Sequence, residues 1–157
     1  MRVLILATAV GAGLVAGIFF AFSSFVMRAL ARLPPGQGIA AMQSINITVI
    51  NPVFMTAFLG TAVACAVLVV VSLLDWYRPG SGFLLTGGLL YLVGTILVTM
   101  VFNVPRNEAL ARVDATNVEA AGLWIGYVSG WTLWNHVRTA AALVAAVVLT
   151  IAHALRQ

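Results

Sequence analysis

Four long apolar runs constrain this chain more than anything else in it: Val3 to Met27, Pro52 to Leu74, Phe83 to Phe102 and Val137 to Ala154. A hydrocarbon core of about 30 Å takes about 20 apolar residues in helical form, and each run meets or approaches that length. Inside lipid every backbone N–H and C=O must find a partner within the protein, so only helices or a closed barrel can cross. Barrel strands would alternate apolar and polar residues; these runs do not, so they read as helices. The expected architecture is an all-α, four-helix membrane bundle formed by one domain, with spans at about 3–27, 52–74, 83–102 and 137–154. Composition agrees, since 62% of the 157 residues are hydrophobic and 8% charged, too apolar for a soluble domain and too short for a transporter built from repeats. The first run is long, has a minimal charged start at Arg2 and lacks a small-residue cleavage site, which favours a retained span over a signal peptide.

The net charge of +4 comes from eight Arg and no Lys, set against Asp75, Glu108, Asp114 and Glu119. It is not a nucleic-acid signature. Arg2, Arg28, Arg32, Arg78 and Arg156 stand near the ends of apolar runs, where guanidinium groups reach the headgroups and help set orientation. Because Arg28, Arg32, Arg106, Arg112 and Arg138 share one side and Arg2, Arg78 and Arg156 the other, orientation stays open: some of the larger set belong to a candidate site. The single Cys65 lies inside the second run, which leaves no disulfide framework or thiolate metal site within one chain.

The connections are unequal. The segment Asp75 to Gly82, DWYRPGSG, is short and punctuated by Pro79, Gly80 and Gly82, with Trp76 and Tyr77 suited to the interface. On the other face, Arg28 to Asn51 and Asn103 to Asn135 each have room for a short helical or re-entrant segment. In the first of these, Pro34, Pro35, Gly36 and Gly38 break the chain before IAAMQSINITVI, which is apolar enough for the interface. Pro52 suits a first helical turn and Asn51 a cap before it. Asn46 and Thr48 also match the three-residue glycosylation pattern, a weak signal. Gly13 and Gly17, in register with Ala9, Ala21 and Ser24, and Gly87, Gly88 and Gly94 in the third run, are expected to seat neighbouring helices.

If the spans alternate in direction, three groups of polar residues meet on the long-loop face. Asn103 and Asn107 flank Pro105, which is expected to turn the chain and free backbone groups that the two amides can serve. Trp124, Tyr127, Trp131, Trp134, Asn135 and Arg138 fall on one stripe of a helix, with Gly122, Gly126 and Gly130 as a smooth back. Interfacial aromatics explain Trp124 alone better than they explain the whole set. Arg138 opens an apolar run and needs neutralising, with Glu108 or Glu119 as the plain ion-pair partner. His136 points about 100° from Asn135 on the helical wheel. It faces another neighbour, or the helix starts irregularly there. Its ordinary pKa makes it a general-base candidate, set against a solvated interfacial imidazole. Metal-ligand spacings, phosphate-binding glycine loops and nucleophile elbows are missing.

FFAFSSFVM, INITVINPVFM, NVPRN and W-x-x-W-N-H-x-R together resemble the anthrone oxygenase-like membrane family over essentially the whole chain. The resemblance implies oxidation of an anthrone to an anthraquinone by molecular oxygen, without a flavin, haem or obligatory metal, so no cofactor is expected. In that reading His136 is the base, and Asn135, Asn103 or Arg138 stabilise the enolate oxygen. Trp131 and Trp134 stack on a flat polycycle, and Asn107 and Asn51 complete the substrate-binding set. The expected partners are membrane lipid, a hydrophobic aromatic small molecule and oxygen, with no nucleic acid; oligomerisation stays open. The expected location is a bacterial inner membrane. The competing reading is a non-catalytic membrane module binding a quinone, lipid or partner subunit through the same face. A purely structural role predicts instead that Asn103, Asn135 and Arg138 bond to one another with no cavity between them.

Overall fold

The computed structural model describes residues 1–117 and 120–156. Five helices make up the described chain: α1 Arg2–Leu30, α2 Pro35–Thr48, α3 Pro52–Leu74, α4 Ser81–Ala111 and α5 Ala120–Leu155. All except α2 are long and apolar enough to cross a membrane. The 14 residues of α2 rise only about 21 Å, too short to span, and α2 packs against α5 and the end of α4 at the long-loop end of the bundle.

Lipid is as apolar as the side chains, so close packing and hydrogen bonding, more than water exclusion, hold such helices together. The core follows that rule with small residues on facing surfaces. Ile5, Ala9, Ala12 and Ala16 of α1 share one buried cluster with Ala142, Ala145, Leu149 and Ala152 of α5. The glycines of α4 are seated as expected: a Cβ at Gly88 would stand 3.1 Å from the Cys65 carbonyl oxygen, and one at Gly87 2.7 Å from Leu149 Cγ. The α1 stripe differs. Its buried face is alanine-rich, while Gly13 makes only ordinary contact and Gly17 meets nothing. On the smooth back of α5, Gly122 and Gly126 are also open, while a Cβ at Gly130 would stand 3.1 Å from Nε of Arg106 on α4.

Polar side chains in the spans turn back on backbone carbonyls: Thr8 Oγ1 donates to Leu4 at 2.7 Å, Ser72 Oγ to Val69 at 2.7 Å, and Tyr91 OH to Phe58 at 3.1 Å. The short connection is closed in the same way. Gly80 takes the left-handed conformation at φ 81°, Ser81 Oγ donates to the Asp75 carbonyl at 2.7 Å, and Arg156 donates to Pro79 O and Ser81 Oγ.

The long-loop end departs from expectation at Pro105. Instead of turning, α4 continues to Ala111. Proline has no N–H for the carbonyl four residues back and crowds it. Here a wide π-helical turn over Thr99–Asn103 precedes it, with Val104 N–H bonding five residues back to Thr99, and this shift of register absorbs the defect. At the other side of the loop α5 starts at Ala120, well before the expected span. The second long loop is therefore helical mostly as extensions of its neighbours, while the first holds the separate helix α2. A second aromatic and aliphatic cluster joins them: Met27, Ile39, Met42, Leu110, Trp124, Tyr127 and Trp131. Gln43 pins α2 down where α4 ends, its Nε2 donating to the Leu110 and Val113 carbonyls at 2.8 and 3.0 Å, the first of which also accepts from Val113 N–H at 3.1 Å.

Candidate functional site

The helical stripe on α5 is buried as its spacing predicts: Trp124, Tyr127, Trp131, Asn135 and Arg138 all face inward. Tyr127, Trp131, Asn135 and Arg138 each bond to another element, whereas the buried Trp124 Nε1 has no hydrogen-bond partner. Asn107 Oδ1 accepts from Tyr127 OH at 2.9 Å and from Trp131 Nε1 at 2.8 Å. An indole N–H can only donate, so the amide oxygen of Asn107 must point there, and its NH2 is the group left for a ligand. Asn103 Nδ2 donates to the Trp131 carbonyl at 3.2 Å, tying α4 to α5 where α4 widens.

Asn135 is fully committed. Its Nδ2 donates to the Phe19 carbonyl and to Ser23 Oγ, both at 2.7 Å, and its Oδ1 accepts from Arg138 NH2 at 2.6 Å. The Ser23 hydroxyl lies 3.1 Å from Thr139 Oγ1, which itself donates to the Asn135 carbonyl at 2.7 Å, so Ser23 is the donor of that pair. These bonds meet α1 at its own π-helical turn, Phe22–Val26, where Met27 N–H bonds back to Phe22. Asn135 therefore positions Arg138 and holds two wide turns in register, and has no hydrogen left for a substrate.

Arg138 is the unusual residue. Only 4% exposed, its guanidinium lies 4.1 Å from the Phe19 ring centre and 5.1 Å from that of Trp131. NH1 donates to Thr99 Oγ1 at 3.2 Å and NH2 to Asn135, while Nε has no partner. Neither Glu108 nor any other described acid pairs with it: the described ion pair is Asp75 with Arg78, at 3.8 Å in the short connection. Glu119 lies outside the described residues. Two aromatic faces and neutral oxygens thus surround a buried cation, where an anion would ordinarily be expected.

Beside it is a cavity of about 240 Å³, at the small end for small-molecule sites. Its walls are mainly apolar, with Phe19, Phe22, Phe54 and Phe58 from α1 and α3 and Trp131 from α5; Thr99, Asn107, Asn46 and Arg138 are its polar points. Thr99 and the phenylalanines belong to the lining without having been singled out by sequence for it, while Asn46 is one of the amides that the sequence brings to this face. Asn46 Nδ2 is buried, which leaves no room for a glycan.

Three expected site residues stand apart. Asn51 is exposed and caps α3, its Oδ1 accepting from Phe54 N–H at 3.0 Å while its Nδ2 donates to the Thr48 carbonyl at 3.0 Å. Trp134 stacks flat on Phe102, ring centres 3.4 Å apart, outside the lining. His136 is exposed and lines a different cleft. Asn103 is buried but holds backbone, so of the expected residues Asn107, Trp131 and Arg138 line the cavity.

A family model described as anthrone oxygenase matches residues 54–148. The chain belongs to the anthrone oxygenase family. The match takes in Thr99, Asn103, Asn107, Trp131, Asn135 and Arg138, while Phe19, Ser23 and Asn46 precede it. No curated protein and no solved structure matches this anthrone oxygenase family member.

Proposed function

We propose that the cavity binds a flat aromatic molecule as its phenolate or enolate, oxygen toward Arg138, and that an anthrone or similar activated polycyclic phenol is oxidised there by molecular oxygen. The observation that carries this reading is the buried guanidinium, with no acidic partner among the described residues, next to an aromatic-walled cavity. An anionic ligand oxygen supplies the missing charge, and the cation in turn favours ionisation of the ligand. In an anthrone, loss of a proton to water from the carbon opposite the carbonyl places negative charge on the ring oxygen. The electron-rich ring carbon then adds oxygen, giving a peroxide at that carbon. Loss of the remaining carbon-bound hydrogen as a proton breaks the O–O bond, so one oxygen molecule yields one quinone and one water. Within this reading Asn135 and Thr99 orient the guanidinium, the Asn107 amide and Trp131 position the ring, and His136 has no part in the chemistry.

The non-catalytic alternative, a module that binds a quinone in the same cavity, draws support from one fact: among the described residues no carboxylate or imidazole lines it to take the proton. Oxygen uptake by the purified protein separates the two. Wild type is expected to consume one oxygen per anthrone, and Arg138→Gln to lose about 100-fold in rate, the usual loss when an oxyanion donor is removed. Arg138→Lys, which keeps the charge, tests whether the loss follows the charge or the fold. Binding of the ligand with no uptake by wild type leaves the module reading standing and removes the oxygenase one.

A further inference from the structure

The imidazole that the cavity does not use belongs to another site. His136 lines an open cleft of about 390 Å³ between the end of α1 and α5, together with Arg28, Thr132, Ser129, Met27 and Leu133. Ser129, Thr132, Leu133 and His136 recur at three- and four-residue spacing, so α5 presents them on one face. Among the described residues no acid lines this cleft. Arg28 is in no ion pair among the described residues, and Thr132 Oγ1 is buried with no hydrogen-bond partner. An imidazole offers an N–H in either protonation state, so the cleft presents a guanidinium, an imidazole N–H and a hydroxyl that all want an acceptor.

We propose that this cleft holds the phosphate of an anionic phospholipid. Its level in the fold fits: Arg28 is the first charged residue after the apolar run of α1, where headgroups lie. Its floor decides between lipid and free phosphate. Met27 and Ala31 from the end of α1 and Val128 and Leu133 from α5 give the cleft apolar surface on both walls, and Leu133 is 60% exposed, continuing that surface outward along α5. A free phosphate ion wants polar partners all round, whereas a headgroup with attached chains wants donors at one end and an apolar surface at the other. Arg28 and His136 bind the phosphate oxygens, and the chains follow Leu133.

The test is native mass spectrometry of the detergent-solubilised protein titrated with phosphatidylglycerol or phosphatidylcholine. Wild type is expected to retain phosphatidylglycerol preferentially, and Arg28→Gln to lose about fivefold of that preference, the contribution of one basic side chain at a membrane surface. His136→Leu is expected to lower it as well, while Arg78→Gln, which removes the same charge at the opposite end, is expected to keep it. Equal losses in Arg28→Gln and Arg78→Gln, or no preference in wild type, would overturn the proposal. Displacement of the bound lipid by inorganic phosphate at equal concentration would also overturn it, by making the cleft a free-phosphate site. The readout does not involve the anthrone cavity, so its failure leaves the oxidation reading untouched.

Discussion

The two ends of this bundle face the same requirement and meet it differently. At the short-connection end, closure lies mainly within the turn, Ser81 Oγ on the Asp75 carbonyl, with Arg156 of α5 alone reaching across to Pro79 O and Ser81 Oγ. At the long-loop end the bonds run between helices and converge on side chains, with Asn107 receiving two aromatic donors and Asn135 joining α1 to Arg138. Local closure needs little more than a turn of the right length. Convergence from α1, α4 and α5, with one buried cation that has no anion among the described residues, makes a surface that a ligand can complete.

The comparison is most exposed to failure at Asn107. Asn107→Leu deprives Tyr127 and Trp131 of their shared acceptor, and each buried donor left unpaired costs about 1–3 kcal/mol. The expected outcome is a clear drop in thermal unfolding temperature in detergent together with weakened binding of an anthrone or anthraquinone, read by quenching of tryptophan fluorescence. Loss of stability without any loss of binding would return the amide to a purely structural role. Gly88→Ala sharpens the other half. It forces a methyl against Val69 and the Cys65 carbonyl, an overpacking cost of about 1–3 kcal/mol, and it is expected to lower the unfolding temperature with ligand affinity unchanged in the molecules that remain folded. The smallest effect is expected from Asn51→Ala. Loss of the α3 cap costs about 1 kcal/mol, with oxygen uptake and binding at wild-type levels. A binding defect in Asn51→Ala would bring that residue back into the site.

Much of the fold was legible because it is local. Run length implies spans, and the 3.6-residue period placed Trp124, Tyr127, Trp131, Asn135 and Arg138 on one buried face without knowledge of what they meet. The cap at Asn51 and the seating of Gly87 and Gly88 follow from equally local rules. The misplaced features depend on partners distant in sequence. Pro105 reads as a turn until the register shift at Thr99–Asn103 is seen to accommodate it. Trp134 fits the stripe on a wheel, yet Phe102 draws it to a different neighbour. Arg138 reads as half of an ion pair because it opens an apolar run and needs neutralising, whereas its described partners come from α1, α4 and its own helix.

Sequence by itself determined that this anthrone oxygenase family member is a four-span helical protein with an aromatic and amide-rich end, because spans and faces follow from residue type and spacing along one helix. Tertiary structure alone decided which of those residues share a cavity, that Asn135 is used up in holding Arg138, and that His136 opens onto a separate cleft. The reason is physical: a helix fixes the direction in which a side chain leaves it, but only the packing of other helices decides whether that direction leads to a partner, a cavity or lipid.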